Sequence, residues 1–179
     1  MLVSVFLEYW KITIPIIKTK NKIEKTLFII LTPYNCILGH LIMKVENKIA
    51  PNEDQINGFL EDPELGPISM VNLLKYKKKA IYADGRNTNL TGKEAYQLYA
   101  AEVIDFVEKY GGEFVFGGSV SRLMLGEVEE MWDAVAIAKY PSRKAMMDMT
   151  MDPGYQKIHI HREAGLKGQL NIETVDNEL

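Results

Sequence analysis

The chain contains very little cysteine, since Cys36 is the single one among 179 residues. One cysteine excludes an intrachain disulfide and a cysteine-based zinc site. A basic excess is also missing: the net charge is −3, which excludes a general electrostatic field for nucleic acid. The chain does contain 47% apolar and 25% charged residues, the ordinary mixture of a globular domain, so collagen-like and disordered classes are excluded.

The first 42 residues differ from the rest in charge. Residues 1–42 carry five lysines and two acids, whereas residues 43–179 carry 16 basic and 22 acidic side chains. The apolar run over residues 27–42 follows a lysine-rich stretch, which is the outline of a secretory signal. However, Pro33 interrupts it, no small-x-small cleavage site follows, and its 16 residues fall short of the roughly 20 that cross a bilayer.

Three interpretations of residues 1–42 therefore stay open. They are upstream sequence that precedes a true start at Met43, a membrane-associating or export segment, or a structured extension. With Met43 as the start, the protein is expected to be cytoplasmic and is not expected to act at a membrane.

Residues 43–67 form a polar lead-in, the main domain is predicted over residues 68–175, and residues 176–179 form a tail. Within the lead-in, Asn52 is placed to cap a short helix around residues 53–61. The lead-in is thus expected to be an appendage to the domain.

The domain begins with a strand and a helix. Ile68–Tyr76 is a nearly continuous apolar run of strand length, typical of a central strand. After a loop over residues 77–90, Thr91-Gly92-Lys93-Glu94 forms a capping box, and the helix ends at Gly111-Gly112. Helical spacing predicts a buried stripe of Ala95, Leu98, Tyr99, Val103, Phe106, Val107 and Tyr110.

Two further strands follow this helix. The second strand is predicted to start at Glu113, to bend at Gly117-Gly118 and to continue to Leu125. The third is predicted over Met131–Tyr140. One face of the third strand is expected to carry Trp132, Ala134, Ala136 and Ala138.

The last part of the chain predicts a helical layer and a final strand. Pro141-Ser142 opens a helix, and Asp152-Pro153 restarts it, with the Asp as N-cap and the Pro at the first helical position. This second segment is expected to stop near Gly165 or Gly168. In the final strand, Leu170, Ile172 and Thr174 alternate with Asn171, Glu173 and Val175.

The resulting order, β-α-β-β-α-β, is that of the ferredoxin-like α+β fold. Its helices cover one face of the sheet and leave the other face apolar. An exposed apolar sheet face needs a cover, so we expect a homodimer.

Five short segments, in this order, resemble the DUF1330 family, a family of unknown function. They are Pro67–Tyr76, Tyr110-Gly111-Gly112, Gly117-Gly118, Tyr140-Pro141-Ser142 and Asp152-Pro153-Gly154-Tyr155-Gln156. The resemblance runs from about Ile68 to Thr174 and implies a dimeric α+β barrel in which two four-stranded sheets pack face to face. The broader superfamily includes cofactor-free monooxygenases, muconolactone-type isomerases and haem-degrading enzymes, so the resemblance implies a fold rather than one activity.

Three polar residues are candidates for catalysis. His159 and Arg162 share a helix face with Tyr155, whereas His161 points away from it. His159 is suited to general acid–base work, and Arg162 to binding a carboxylate. Asn72 interrupts an apolar strand, so its amide either joins a core network or faces a ligand, where it would orient a carbonyl oxygen. For His159 the alternative is a satisfied core histidine, and for Arg162 it is an internal ion pair with an acid such as Glu102 or Glu163.

An aromatic and methionine set, Tyr99, Trp132, Tyr155 and Met149, is the candidate substrate-binding group, with plain core packing as its alternative. His159 and His161 stand two residues apart, which is the wrong helical spacing for one metal, so no metal site is expected. The resemblance to haem-degrading enzymes implies an Asn, a His and a Trp; Asn72 and His159 match, but Met149 stands near the position of the Trp.

Two functions remain open from the sequence. The first is a small cofactor-free enzyme, isomerase-like or monooxygenase-like, that acts on a small apolar carbonyl or carboxylate compound. The second is a non-catalytic dimeric module, small-molecule-binding or stress-associated, and haem binding is a lesser alternative. No cofactor and no nucleic acid partner are expected.

Overall fold

The computed structural model describes residues 45–175, and its first helix is the predicted capped one. Helix α1 spans Glu53–Leu60. The Asn52 side chain accepts from the Gln55 N–H at 2.8 Å, and the Gln55 side chain accepts from the Asn52 N–H at 3.0 Å. The predictions for residues 1–44 and 176–179 lie outside the described residues, and the domain boundaries stay predictions.

The remaining elements follow the predicted order. They are β1 (Ile68–Tyr76), α2 (Gly92–Lys109), β2 (Glu113–Ser119), β3 (Ala134–Tyr140), α3 (Arg143–Met151), α4 (Pro153–Gly165) and β4 (Leu166–Val175). The four strands form one sheet in the order β2-β3-β1-β4, in which every neighbouring pair is antiparallel. This order confirms the ferredoxin-like α+β fold and the central position of β1.

The register separates the two faces of the sheet. On one face, Val71 lies opposite Ile137 and Ile172, and Leu73 lies opposite Val135 and Leu170. We call this side the outer face, defined by Val71, Leu73, Phe116, Val135, Ile137, Leu170 and Ile172. It is rich in β-branched side chains. Phe116 and Ile172 are the most exposed of these seven residues, at 53% and 45%.

The other side of the sheet faces the helices. Ile68, Met70 and Leu74 of β1 point to this side and are buried. Ile68 and Met70 pack in a core with residues from the helices: Tyr99, Val107, Met149, Tyr155 and Ile158. The helices thus supply one cover of the sheet, as the sequence predicts.

The ends of α2 and α4 approach each other closely. Gly92 donates its N–H to the Lys77 carbonyl at 3.1 Å, and the Lys77 N–H donates to the Gly165 carbonyl at 2.8 Å. A Cβ atom on Gly165 would lie 2.4 Å from the Gly92 carbonyl oxygen, so this contact requires glycine. The predicted capping box at Thr91 is present and starts α2 at this point.

Several predicted boundaries are wrong. Strand β2 ends at Ser119 rather than Leu125, because Val120 makes the last backbone bond to Asp133 before the chain turns through Gly126. Its bulge lies between Phe114 and Phe116, not at the glycine pair. The glycines serve another purpose, because a Cβ at Gly117 would lie 2.7 Å from the Phe114 ring.

Three further details differ from the prediction. Strand β3 begins at Ala134, so Trp132 is not part of it. Leu98 is 44% exposed and does not belong to the buried stripe of α2. Strand β4 starts at Leu166, directly after α4, with no loop between them. The Lys77 ammonium donates to the Glu163 carbonyl and so caps the last turn of α4.

Candidate functional site

A cavity of about 1030 Å³ lies between the helices and the sheet. It is lined by residues of all four helices and of all four strands. Space remains there because the helix-facing side chains of β3 are small, namely Ala134, Ala136 and Ala138, with Gly117 beside Ala136. We call this space the helix–sheet cavity.

The floor of the helix–sheet cavity carries polar side chains on β4. Gln169, Asn171 and Glu173 all line it. Asn171 lies opposite Asn72 in the register, so two amides stand side by side at the centre of the floor. The sequence predicts the alternation of β4, but it does not predict that the polar side faces the helices.

His159 lies on the wall that α4 contributes to the helix–sheet cavity. Its Nδ1 is 3.3 Å from the Tyr155 hydroxyl, which is in turn 3.2 Å from the Tyr99 hydroxyl. Its Nε2 lies 3.5 Å from a carboxylate oxygen of Glu163, longer than a normal charge-assisted hydrogen bond. His159 therefore joins a chain of polar groups that leads from the buried Tyr99 to the exposed Glu163.

The electrostatic surroundings favour a neutral imidazole and neutral tyrosines. Burial, and then the nearby charge of Arg162, lower the pKa of His159, while Glu163 partly opposes them. Burial raises the pKa of Tyr99 well above its ordinary value, with a further increase from Tyr155. His159 at neutral pH is thus an uncharged imidazole that can accept a proton.

Arg162 lines the same wall. Its Nη2 donates to the Ile49 carbonyl at 3.1 Å, and no carboxylate among residues 45–175 forms an ion pair with it. The internal ion pair considered from the sequence, with Glu102 or Glu163, is therefore wrong. A guanidinium carries five N–H donors, so most of this group's hydrogen-bonding capacity is not used by Ile49.

Asn72 lies at the floor of the helix–sheet cavity, but its amide is engaged by the protein. Its Nδ2 donates to the main-chain carbonyls of Met70 and Ala136, both at 3.2 Å. Orienting a substrate carbonyl would require those N–H groups, so this geometry disfavours the predicted role. The Oδ1 atom is left with one distant donor, Gln169 Nε2 at 3.5 Å.

Three members of the predicted binding set line the helix–sheet cavity: Tyr99, Tyr155 and Met149. Trp132 is not among its lining residues; its indole N–H donates to the Asn47 side chain at 2.7 Å. The prediction fails for Trp132 because the residue precedes β3 and does not follow its alternation. His161 also lies outside the cavity, and its Nδ1 is 2.7 Å from the Tyr82 hydroxyl.

Sequence reasoning missed two groups that line the helix–sheet cavity. The Tyr96 ring contacts the Tyr99 ring in a tilted arrangement with centroids 5.4 Å apart, and its spacing three residues before Tyr99 on α2 was an available signal. Arg143 forms a two-pronged ion pair with Glu173, with Nη2–Oε1 at 2.8 Å and Nε–Oε2 at 3.0 Å. No local pattern indicates that pair, because its members are 30 positions apart in the chain.

The residues do not fit the haem-binding set that the sequence resemblance implies. Asn72 directs its amide N–H groups to main-chain carbonyls, and Met149, in place of the Trp, is buried in the core. No group of three His, Cys, Asp or Glu side chains is placed to share a metal ion within residues 45–175. Over the same residues, no helix is long and apolar enough to cross a bilayer.

A four-stranded sheet in this order, covered by helices on one face, defines a ferredoxin-like α+β protein. Within that class, the family model described as "Domain of unknown function (DUF1330)" matches residues 81–174. The chain belongs to this family, which confirms the resemblance found in its sequence.

Two solved structures are similar to this chain in both sequence and fold. A protein of unknown function from Rhodopseudomonas palustris is 31% identical, over 75% of this chain and 100% of that chain, with a TM-score of 0.67. The methylated form of that protein is 34% identical, over 75% of this chain and 98% of its own, also with a TM-score of 0.67.

A third solved structure is more distant. It is a dimeric protein of unknown function with a ferredoxin-like fold from Bacteroides fragilis, 9% identical over 63% of this chain and 98% of that chain, with a TM-score of 0.40. No curated protein matches the sequence.

Proposed function

We propose that the protein is a small cofactor-free enzyme that moves a proton on an apolar carbonyl or carboxylate compound held in the helix–sheet cavity. One observation carries the proposal: half-buried His159, whose pKa is lowered by burial, and Arg162, which has no carboxylate partner among residues 45–175, line the same largely apolar space. Apolar cavities with a few convergent polar groups are typical of small-molecule sites. A cavity of about 1030 Å³ is ample for such a compound.

Arg162 is the anion-binding group in this proposal. Its planar guanidinium matches a carboxylate in two parallel hydrogen bonds, which a main-chain carbonyl such as that of Ile49 does not replace. Burial of part of the ligand in the cavity strengthens this attraction relative to water. The ligand is thus expected to carry one negative charge near Arg162.

His159 is the general base. It takes a proton from the carbon next to a carbonyl, the C–H electron pair forms the enolate, and the imidazole becomes an imidazolium. In an isomerase-like reaction the proton returns at another carbon. In a monooxygenase-like reaction the enolate carbon forms a C–O bond to dioxygen, the peroxide takes the proton back from the imidazolium, and the hydroperoxide loses water to leave a second carbonyl, so the substrate itself is the reductant. Tyr155, 3.3 Å from Nδ1, holds the ring in place during the transfer.

A non-catalytic binding module is the second candidate. It is favoured by the hydrogen bonds that Asn72 and His159 make to groups of the protein itself. Open space beside His159 argues for the enzyme, because a module with a filled cleft would place Tyr and Met side chains there.

We also propose that the protein is a homodimer in which a second copy covers the outer face. The support is the composition of that face, where seven apolar side chains from all four strands form one continuous surface. Exposed apolar surfaces of this kind usually mark interaction sites. The cytoplasmic location that follows from a start at Met43 stays a prediction.

Proton transfer is testable without knowledge of the natural substrate. A panel of small apolar keto acids and ketones is incubated with the protein in D₂O, and deuterium incorporation next to the carbonyl is followed by NMR. We expect exchange above the buffer rate for some compounds, its loss in His159→Gln, and its retention in His161→Gln, because His161 contacts Tyr82 outside the cavity. The proposed enzymatic function would be contradicted if exchange persisted in His159→Gln, or if the protein accelerated exchange in none of the compounds.

A further inference from the structure

The middle of the cavity floor consists of one row of residues across the sheet. The row runs from Asn171 on β4 through Asn72 on β1 and Ala136 on β3 to Gly117 on β2. In a closed core this position would hold large apolar side chains, because helices cover it. Here the row ends in an alanine and a glycine, so a ligand can reach the two amides.

The hydrogen-bond capacity of Asn72 is divided unequally. Its two N–H groups face the carbonyls of Met70 and Ala136, which fixes the orientation of the amide, since the reverse would set its oxygen against two other oxygens. Among residues 45–175, its Oδ1 has only the Gln169 amide as a partner, at 3.5 Å, beyond good hydrogen-bond length. Asn72 therefore offers an acceptor to the cavity.

Asn171 adds a second amide with its full capacity. It lines the helix–sheet cavity, and its side chain makes no hydrogen bond to any residue between 45 and 175. It can donate and accept, whereas Asn72 can only accept. Together the two amides suit a group that both donates and accepts, which is the property of a hydroxyl.

Charge excludes an ionic group at this position. Arg143 and Glu173, the charged pair next to the row, neutralise each other through two hydrogen bonds. Arg162, a half-buried cation with no carboxylate partner in the part of the chain that the structure describes, is on the α4 wall. The floor thus favours an uncharged polar group, and the wall favours an anion.

We infer that Asn72 and Asn171, with Gln169 beside them, form a second polar subsite that binds a hydroxyl group, so that the ligand is a hydroxylated apolar carboxylate. This inference rests on the proposed function, because Arg162 supplies the site for the carboxylate end. It narrows the ligand class from any apolar acid to one with a neutral hydroxyl remote from its carboxylate.

The test uses the full-length protein and matched probes. Straight-chain carboxylates from hexanoate to dodecanoate are compared with their ω-hydroxy counterparts by isothermal titration calorimetry. At the chain length that spans the cavity, we expect the hydroxyl to tighten binding about three- to tenfold, the typical effect of one hydrogen bond. Asn171→Ala is expected to reduce this gain to near one, while Arg162→Gln weakens both probes.

Asn87→Ala is the matched control, because Asn87 is exposed and does not line the cavity. It should keep the full hydroxyl gain, and circular dichroism should show both Asn variants folded. Carboxylates that bind without any hydroxyl gain, or a gain that survives Asn171→Ala, would overturn the second subsite alone. Failure of every carboxylate to bind would overturn the anion site, and the inference with it.

Discussion

Ile137 is the position at which the proposed dimer is most sensitive to charge. It lies on the outer face, opposite Val71 on one side and Phe116 on the other. In a two-fold dimer the same face of each copy meets its equivalent, so one substitution enters the interface twice. Ile137→Lys would therefore place two ammonium groups in one apolar interface.

The expected effect is large. Each substitution removes the burial of a partly exposed isoleucine, about 1 kcal/mol. Each also brings an unpaired ammonium out of water, which costs several kcal/mol unless the chain reaches solvent. Even about 2 kcal/mol per copy gives about 4 kcal/mol per dimer, which corresponds to a rise in the dimer Kd of about a thousandfold.

Sedimentation velocity over a range of micromolar concentrations measures this Kd. Leu98→Lys is the control, because Leu98 is an exposed leucine on α2 that faces neither the outer face nor the cavity. We expect a dimer for the native protein and for Leu98→Lys, and a folded monomer for Ile137→Lys. A native monomer at these concentrations, or an Ile137→Lys dimer, would refute the role of the outer face.

Three further outcomes follow from the described contacts. Gly165→Ala should lower the free energy of unfolding, measured in urea, by about 1–3 kcal/mol, since the new Cβ would lie 2.4 Å from the Gly92 carbonyl oxygen. Gly58→Ala in α1 should instead raise the free energy of unfolding by about 0.5–1 kcal/mol, because no atom lies within 4 Å of the Cβ position there. Burial and Arg162 lower the pKa of His159, so on acidification the imidazole is protonated in the unfolded chain at a higher pH than in the folded protein. The free energy of unfolding should therefore fall as pH drops below about 6.5 toward the lower folded pKa, and His159→Gln should remove this pH dependence. An NMR titration midpoint of His159 at or above 6.5 would contradict this prediction. Hydrogen bonds from Lys109 and then from the Gly154 N–H lower the pKa of Asp152 to about 2. The contribution of the Asp152 carboxylate to stability should be complete above pH 3.8 and be lost toward pH 2. Acid unfolding of Asp152→Asn should not show this loss.

Local signals predicted the helices well because both partners of each signal lie within a few residues. Asn52, Thr91 and Asp152 cap α1, α2 and α4, and each accepts a hydrogen bond from a backbone N–H two or three positions later. Such contacts can be read from sequence alone. The predicted face of α4 was equally local, and the structure places His159 and Arg162 on the same wall.

Contacts between distant segments could not be predicted in this way. Arg162 binds Ile49 across 113 positions, and Trp132 binds Asn47 across 85. Both partners lie in the polar lead-in, whose composition indicates no particular docking site. The true surroundings of Arg162 and the loss of Trp132 from the site both follow from this segment, which crosses next to β4 through the Lys48–Gln169 bridge.

The arrangement of the sheet explains why the polar floor of the cavity was not predicted. Alternation in β3 and β4 separates small or polar residues from bulky apolar ones, but it does not say which set faces the helices. Ordinary packing would place the bulky set, such as Ile137 and Ile172, under the helices, and the polar set in water. In the structure the bulky apolar set lies on the outer face and the small or polar set lies under the helices. This arrangement has two consequences. It leaves space beneath the helices beside Asn72, and it leaves an apolar outer face that needs a second cover, so the cavity and the proposed dimer follow from the same feature of the sequence.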